Sequence, residues 1–206
     1  MVVRSKEVYD NPVCGERVVI RRGNDEGDGS VLIWDLYLEP GGTVVGEHYH
    51  PTADERFVLV SGKLGIRAGG RSRVLEEVGE SVLAEAGTRH YFWNGDSGPT
   101  RIVIRMQGRV DRFEQAVFRQ LYGLAQDGRT DSNGKPGLLQ HAVTSAEYAD
   151  IVRFAAPPWP VQRLLFGVLA PVGRALGFRA LCAEYRDRRA PLVAELDPLP
   201  PGFPEL

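Results

Sequence analysis

The chain has 206 residues, of which 43% are hydrophobic and 25% are charged, and these fractions are typical of ordinary globular proteins and exclude wholesale disorder. Its formal net charge of −2 offers no basic surface for a phosphate backbone, so we expect no nucleic-acid partner. Length and composition allow one large domain, or one domain with an extension.

Targeting signals are not evident at the amino terminus. Arg4, Lys6 and Glu7 interrupt the stretch in which a secretory leader would be apolar, so we expect a cytoplasmic location. Cys14 and Cys182 are isolated in sequence, so we expect two reduced thiols. No run reaches the roughly 18 apolar residues of a transmembrane helix, and we expect no membrane span.

The first half of the chain has the pattern of a β-protein. Short runs rich in Val, Ile and aromatic residues alternate with glycine-containing turns, which predicts an all-β sandwich or barrel. The predicted strands cover residues 17–22, 31–38, 44–50, 56–60, 63–67, 73–76, 81–84, 90–94 and 101–106.

Beyond Asp111 the pattern becomes helical. A first amphipathic helix is predicted from about Phe113 to Gly128. Thr144, with Glu147 three residues later, resembles a capping box and predicts a helix that begins there and runs to about residue 154. A further helix is predicted over residues 161–185, bent or broken at Pro171. We therefore divide the chain into a barrel at residues 1–109 and a helical extension at residues 110–206.

Two histidines and a glutamate lie in a fixed pattern between turn glycines. The segment GTVVGEHYHPTADERFVLVSG has the form G-x5-H-x-H-x4-E-x6-G, with His48, His50 and Glu55 at the named positions. Alternation along a strand puts His48 and His50 on one face. A turn after His50 would return Glu55 on the neighbouring strand, within reach of both imidazoles.

A second segment adds a third imidazole. GESVLAEAGTRHYFWN has the form G-x5-E-x-G-x2-H-x3-N and ends with His90 and Asn94. Phe92 and Asn94 share the face of His90 by the same alternation.

Together the two segments resemble the paired motifs of the cupin superfamily. Only Glu85 departs from the usual pattern, in which proline holds that position, and this difference affects a turn and not a ligand. The resemblance covers residues 40–95 and extends plausibly over residues 15–109. It implies a double-stranded β-helix (jelly-roll) barrel, one interior metal site and a homodimer.

The expected metal ligands are His48, His50, Glu55 and His90. A single histidine is more often a packing residue than a ligand, but three of the four histidines here fall at motif positions together with the glutamate. Their mixed nitrogen and oxygen donors suit one divalent ion, and Fe, Mn, Ni, Cu and Zn all remain open. His141 lies outside both motifs, and we assign it no function.

Other residues near the motifs are candidates for a substrate pocket. We select Phe57, Phe92, Asn94 and Arg105, with Asn94 also as a group that could orient His90. Arg105 alternates with isoleucines on a strand, so it either binds an anionic substrate or faces solvent. No separate catalytic residue is evident.

These expectations favour a mononuclear metalloenzyme, dioxygenase-like, that acts on a small chelating organic substrate. A redox-neutral isomerase, cyclase or lyase and a non-catalytic small-molecule-binding protein are the alternatives, since fold and ligands do not determine the reaction. For residues 161–185 we consider a helix packed on the barrel or in a dimer interface, a lid over the pocket, and a helix at a membrane surface.

Overall fold

A computed structural model describes residues 3–205, and its core is a barrel of two antiparallel sheets. The six-stranded sheet has the order β1-β2-β3-β10-β5-β8, and the five-stranded sheet has the order β11-β4-β9-β6-β7. The strands are β1 Val8–Asn11, β2 Glu16–Arg22, β3 Val31–Leu38, β4 His48–Tyr49, β5 Ala53–Ser61, β6 Leu64–Ala68, β7 Arg71–Leu75, β8 Ser81–Ala84, β9 His90–Asn94, β10 Thr100–Gly108 and β11 Arg153–Phe154. The predicted fold class, a jelly-roll barrel followed by helices, is confirmed.

The barrel core forms because alternate side chains of the strands point inward. On β3, Leu32, Trp34, Leu36 and Leu38 belong to the main cluster of buried side chains. The opposite face of the same strand is also covered, because Val31 and Ile33 join a smaller cluster against which residues of the carboxyl-terminal segment pack. This double coverage explains why β3 is apolar on both faces except at Asp35, which is buried and pairs with Arg21 and Arg101.

The predicted strand at residues 44–50 is shorter than expected. Only His48 and Tyr49 pair as β4, with His48 opposite His90 on β9 and Phe154 of β11 on the other side. Two strands were not predicted, β1 and β11, and both lie at the edges of their sheets.

The helical half contains four α-helices. A π-helical segment, Gln115–Leu121, leads directly into α1 (Tyr122–Gln126), followed by α2 (Leu138–Glu147), α3 (Trp159–Ala175) and α4 (Ala183–Asp187). The prediction of a helix between residues 113 and 128 is confirmed, although its first part has the wider π geometry.

The predicted start of the second helix at Thr144 is wrong. Helix α2 begins after Gly137, and Thr144 lies inside it, where its hydroxyl accepts a hydrogen bond from the Gln140 amide at 2.9 Å. A Thr-x-x-Glu pattern can occur within a helix as well as at its start, and here the helix ends at Glu147.

Of the predicted bend or break at Pro171, the break is wrong, because the helix continues through this residue. Pro171 lies within α3, where Gly167, four residues earlier, is exposed, so its carbonyl group can be hydrated in place of the missing hydrogen bond. The helix instead ends at Ala175, where Gly177 has a φ of 93° and the Phe178 amide donates to the Gly173 carbonyl at 3.0 Å. This is the usual glycine-dependent helix termination.

The helices pack on the chain's own barrel. Phe113 and Phe118 pack against Trp34 of β3, with ring centroids 5.6 Å apart in each case. Helix α3 in turn lies on α2 so closely that a Cβ atom on Gly173 would be 2.7 Å from the Val143 side chain. Over residues 3–205, no helix is both long and apolar enough to cross a membrane.

Candidate metal centre

Strands of both sheets bring the four expected ligands to one point inside the barrel: β4 and β9 are paired in one sheet, whereas β5 belongs to the facing sheet and is not, as expected, the neighbour of β4. His48 lies on β4, His50 follows it directly, Glu55 is on β5 and His90 begins β9. The exposed fractions of these side chains are 8%, 2%, 3% and 1%, in the order of the sequence. Imidazole and carboxylate groups are rarely buried so completely unless they are paired or coordinate a metal.

The distances between their inward atoms suit donors that share one ion. His90 Nε2 lies 2.8 Å from Glu55 Oε2, and His50 Nε2 lies 3.2 Å from the same oxygen. His48 Nε2 is 3.1 Å from His90 Nε2. Two donors bound at right angles about 2.1 Å from a common ion are about 3 Å apart. Four potential ligand atoms, one from each residue, lie within 4.8 Å of one another.

The outward ring nitrogens fix the orientation of all three imidazoles. His48 Nδ1 donates to the Gly46 carbonyl at 3.0 Å, and His90 Nδ1 donates to the Thr88 carbonyl at 2.9 Å. His50 Nδ1 donates to the Ile151 carbonyl at 2.8 Å. Because a carbonyl oxygen only accepts, each neutral ring carries its proton on Nδ1 and presents an Nε2 lone pair to the centre. Backbone carbonyls, and not Asn94, therefore orient the histidines.

Burial and mutual contact shift the pKa values of the group in opposite directions. Burial, followed by repulsion from His90 and His50, holds the pKa of His48 well below its ordinary value. Burial alone would raise the pKa of Glu55, but contacts with His50 and His90 lower it below the ordinary value. Burial alone would lower the pKa of His90, but contact with Glu55 outweighs burial and raises this pKa above its ordinary value. The buried carboxylate thus requires a positive charge beside it, supplied by a proton or by a cation.

The residues fit a divalent cation. His50 Nε2 and Glu55 Oε2 are both buried and have no aligned hydrogen-bond partner within the described part of the chain, although they lie 3.2 Å apart. Buried atoms of this kind normally have a partner. A cation between them would satisfy both at once, because each offers a lone pair.

A cavity of about 90 Å³, measured as the volume open to the centre of a water molecule, adjoins these residues. Its wall is mostly aromatic and aliphatic and comes from both halves of the chain. The barrel contributes Glu16, Trp34, Leu36, Val44, Val45, His48, His50, Glu55, Phe92 and Ile104. The remaining wall residues are Phe113, Ala116, Val117, Phe118, Leu121, Tyr122, Pro136, His141, Thr144, Ser145, Tyr148, Val152 and Phe154.

The predicted pocket residues occupy different places. Phe92 lines the cavity, whereas Phe57 is fully buried and packs its ring 5.6 Å from that of His90. The Asn94 amide donates to the carbonyls of Leu38, Glu39 and Gly98, and so holds two turns together away from the cavity.

Arg105 is also absent from the cavity wall. It is half-buried on β10, between the inward-facing Ile104 and Met106 of the main core. Alternation along the strand therefore directs its side chain to the outer face.

Sequence reasoning missed the contribution of the helical half. His141 lies in the cavity wall with two further polar residues of α2, Thr144 and Ser145. Their i, i+3, i+4 spacing was visible in the sequence and would place them on one helix face. The role of the Ile151 carbonyl could not be predicted from the sequence, because every residue has a backbone carbonyl group.

Comparison with known proteins agrees with this architecture. Residues 34–105 match the family model described as a cupin domain. An oxidoreductase of Arthrobotrys oligospora is 27% identical over 160 residues, which cover 72% of this chain and 62% of that protein. The chain thus spans less than two thirds of the length of this curated relative.

Two solved structures each match about half of the chain. A structure of KdgF from Halomonas sp. has a TM-score of 0.44 at 15% identity, covering 51% of this chain and 89% of that chain. A predicted oxalate decarboxylase from Thermotoga maritima has a TM-score of 0.45 at 18% identity, covering 52% of this chain and 99% of that chain. Residues 34–105 thus form a cupin domain within the longer chain.

Proposed function

We propose that His48, His50, Glu55 and His90 bind one divalent metal ion. The observation that carries this proposal is the convergence of three Nε2 lone pairs and a carboxylate oxygen, with every Nδ1 already committed to a backbone carbonyl. Nitrogen and oxygen donors without thiolate suit Fe, Mn, Ni, Cu or Zn.

We further propose that the protein is a mononuclear metalloenzyme, dioxygenase-like, acting on a small chelating organic molecule. A bound ion would supply Lewis acidity, and a redox-active one would add chemistry with dioxygen. Four protein donors leave two positions of an octahedron for a molecule with adjacent oxygens. The likeness to an oxidoreductase supports redox chemistry, although it covers only 62% of that protein.

The chain's own residues would prepare the site in two ways. The carbonyls of Gly46, Thr88 and Ile151 hold the imidazoles in place, so little reorganisation accompanies binding. The aromatic wall, including Phe92 and Phe113, packs against the organic part of the substrate and limits the access of water.

Metal analysis and oxygen uptake test the proposal together. The protein is purified without a histidine tag, its metal content is measured, and the metal-free form is reloaded anaerobically with each of the five metals. Oxygen uptake is then followed with chelating diketones, flavonols and hydroxy acids, with a His50→Ala variant as the control. We expect about one ion per chain, and uptake that depends on both metal and substrate.

The other outcomes separate the alternative functions. Conversion of a substrate without oxygen uptake would indicate an isomerase, cyclase or lyase. Binding without conversion under any metal would indicate a binding protein. Failure of all five metals to bind would refute the metal centre itself.

Self-association, which the resemblance to cupins implies, stays a prediction. Helix α3 exposes several apolar side chains, among them Leu164, Leu165 and Val168. Sedimentation equilibrium of the purified protein would show whether a homodimer forms.

A further inference from the structure

The polar face of α2 is the part of the cavity wall that the metal centre leaves unexplained. We propose that His141 forms a hydrogen bond to the organic molecule bound beside the metal centre. With Thr144 and Ser145, it would select ligands that carry a hydroxyl or carbonyl group beyond their chelating pair. This inference rests on the proposed function, because it assigns a second point of contact for the same ligand.

The first support is the position of these residues on α2. His141, Thr144 and Ser145 follow the i, i+3, i+4 spacing of one helix face, and all three line the cavity that His48, His50 and Glu55 also line. Most of the wall is apolar, so these side chains form one of its few polar areas. Polar groups set into an apolar pocket usually fix the orientation and identity of a ligand.

The second support is the environment of the His141 ring. It packs against Phe154 at 5.0 Å and Phe166 at 5.6 Å between centroids, so its position is held by two aromatic contacts. Across residues 3–205, its ring nitrogens take part in no hydrogen bond, in contrast to the three histidines of the metal centre.

The third support is proximity. Phe154, on which the His141 ring packs, is paired with His48 in the register of β11 and β4. His141 is therefore separated from a metal-centre residue by one aromatic side chain and one strand pair. A ligand that reaches from the centre along the wall would pass this ring.

The protonation state of His141 matches a ligand hydroxyl group. Burial, and then the charge of Lys135, lower its pKa, so the ring is neutral near pH 7. A neutral imidazole offers one donor and one acceptor, and a hydroxyl group can pair with either.

The rest of the wall defines the body of the ligand. Trp34, Phe92, Phe113 and Phe118 contribute aromatic surface to the cavity. Aromatic side chains stack favourably on flat rings. The ligand class that fits is thus a flat, ring-containing molecule with two adjacent oxygens for the ion and a further hydroxyl group for α2.

Binding of simple hydroxybenzoates tests the inference. Salicylate supplies a chelating pair, and the dihydroxybenzoates add a second hydroxyl group at each other ring position. Dissociation constants are measured calorimetrically for Zn(II)-loaded and metal-free protein, with wild type, His141→Phe and His141→Gln. The histidine ring resonances are followed by NMR, with that of His141 assigned by its loss in His141→Phe.

We expect at least one dihydroxybenzoate to bind wild type more tightly than salicylate does and to shift the His141 resonance. His141→Phe, which keeps the aromatic packing, should weaken that ligand about three- to tenfold and change salicylate less than about twofold. His141→Gln should restore part of the difference, because its amide can donate and accept.

Three results would overturn the inference. In the first, no dihydroxybenzoate binds more tightly than salicylate. In the second, His141→Phe leaves all dissociation constants unchanged. In the third, it changes them equally for every ligand, which would indicate a role in packing alone. Failure of the proposed metal centre would give a different result. Zn(II) would not bind, but the affinity of metal-free protein for the dihydroxybenzoate would still depend on His141. Full Zn(II) binding without any dependence on His141 would refute only this inference.

Discussion

His50 Nδ1 donates to the carbonyl oxygen of Ile151 at 2.8 Å, across 101 positions of the sequence. A residue of the barrel is thus oriented by a residue of the helical half. His50 offers its other nitrogen to the metal centre, so the ion-binding geometry depends on both halves of the chain. The helical half is therefore part of the candidate site and not an appendage to it.

Loss of one ligand should remove the metal without unfolding the barrel. His50→Ala deletes one of four donors, and we expect an affinity at least about 100-fold weaker, because losing even an outer hydrogen-bonding partner of a ligand costs 10- to 100-fold. Metal content and titration with Zn(II) measure the change, and circular dichroism checks the fold. His141→Phe is the matched control and should keep full metal content. Full occupancy in His50→Ala would contradict the assigned ligands.

Metal binding should weaken in acid. Burial would lower the pKa of His90, but Glu55 raises it above the ordinary value of 6.5. A bound ion must displace this proton, so the affinity should fall about tenfold per pH unit once the pH drops below that pKa. Competition titrations with a chelator of known pH dependence would measure the slope. A flat profile between about pH 8 and pH 5 would show that no ligand proton is displaced.

Glu16 should make the fold less stable at high pH. Burial raises its pKa to about 8 from an ordinary value of 4.5, although contacts with Tyr122 and Asn11 oppose the shift. The folded state therefore holds a proton that the unfolded state releases between these values. The contribution of Glu16 to stability is fully present below about pH 4.5, declines as pH rises through this window, and is lost above about pH 8. The total decline is on the order of a few kcal/mol.

Glu16→Gln isolates this effect, because glutamine resembles the protonated acid at every pH. Urea unfolding of both proteins at about pH 5 and about pH 9 gives the free energies of unfolding. We expect near-equal stability at the lower pH and a more stable variant at the higher one. Parallel pH profiles for the two proteins would show that Glu16 ionises normally.

A buried ion pair should contribute strongly to the attachment of the carboxyl-terminal segment. Arg119 pairs with the fully buried Glu114 and donates to the carbonyls of Tyr185, Arg186 and Arg188. Arg119→Met leaves Glu114 buried and unpaired, which should cost about 3–5 kcal/mol in the free energy of unfolding.

The matched control is an exposed pair in the same segment. Arg186 pairs with Asp187 at 2.9 Å, and both side chains are more than half exposed. Arg186→Met should change stability by at most about 1 kcal/mol. Similar losses in the two variants would mean that burial of the Arg119 pair makes no difference. Urea denaturation measures both.

Local sequence signals were sufficient for the barrel and the metal centre. Short runs rich in Val, Ile and aromatic residues, separated by turn glycines, predicted strands such as β3 and β9 with the observed bounds, because both signals act over a few residues. The two histidine motifs predicted which four side chains meet, although each motif spans two consecutive strands that lie in different sheets. The edge strands β1 and β11 were missed because they are short and their pairing depends on distant partners.

Long-range packing decided what local signals could not. The place of α2 is set by its contact with α3 and the barrel, and the capping-box pattern at Thr144 pointed to a different start. The cavity wall combines residues that are more than 100 positions apart, and no periodicity relates Glu16 to His141. His141 was consequently assigned no function from sequence.

The wall supplied by α2 and β11 lies wholly outside residues 34–105, the stretch that matches the cupin-domain model. Proteins with the same four donors can therefore enclose quite different molecules if their later segments differ. The side chains at residues 138–154 that line the cavity can change while the backbone carbonyl of Ile151 still orients His50. Searches for functional counterparts of this chain should accordingly compare that later stretch, which motif-based matching ignores.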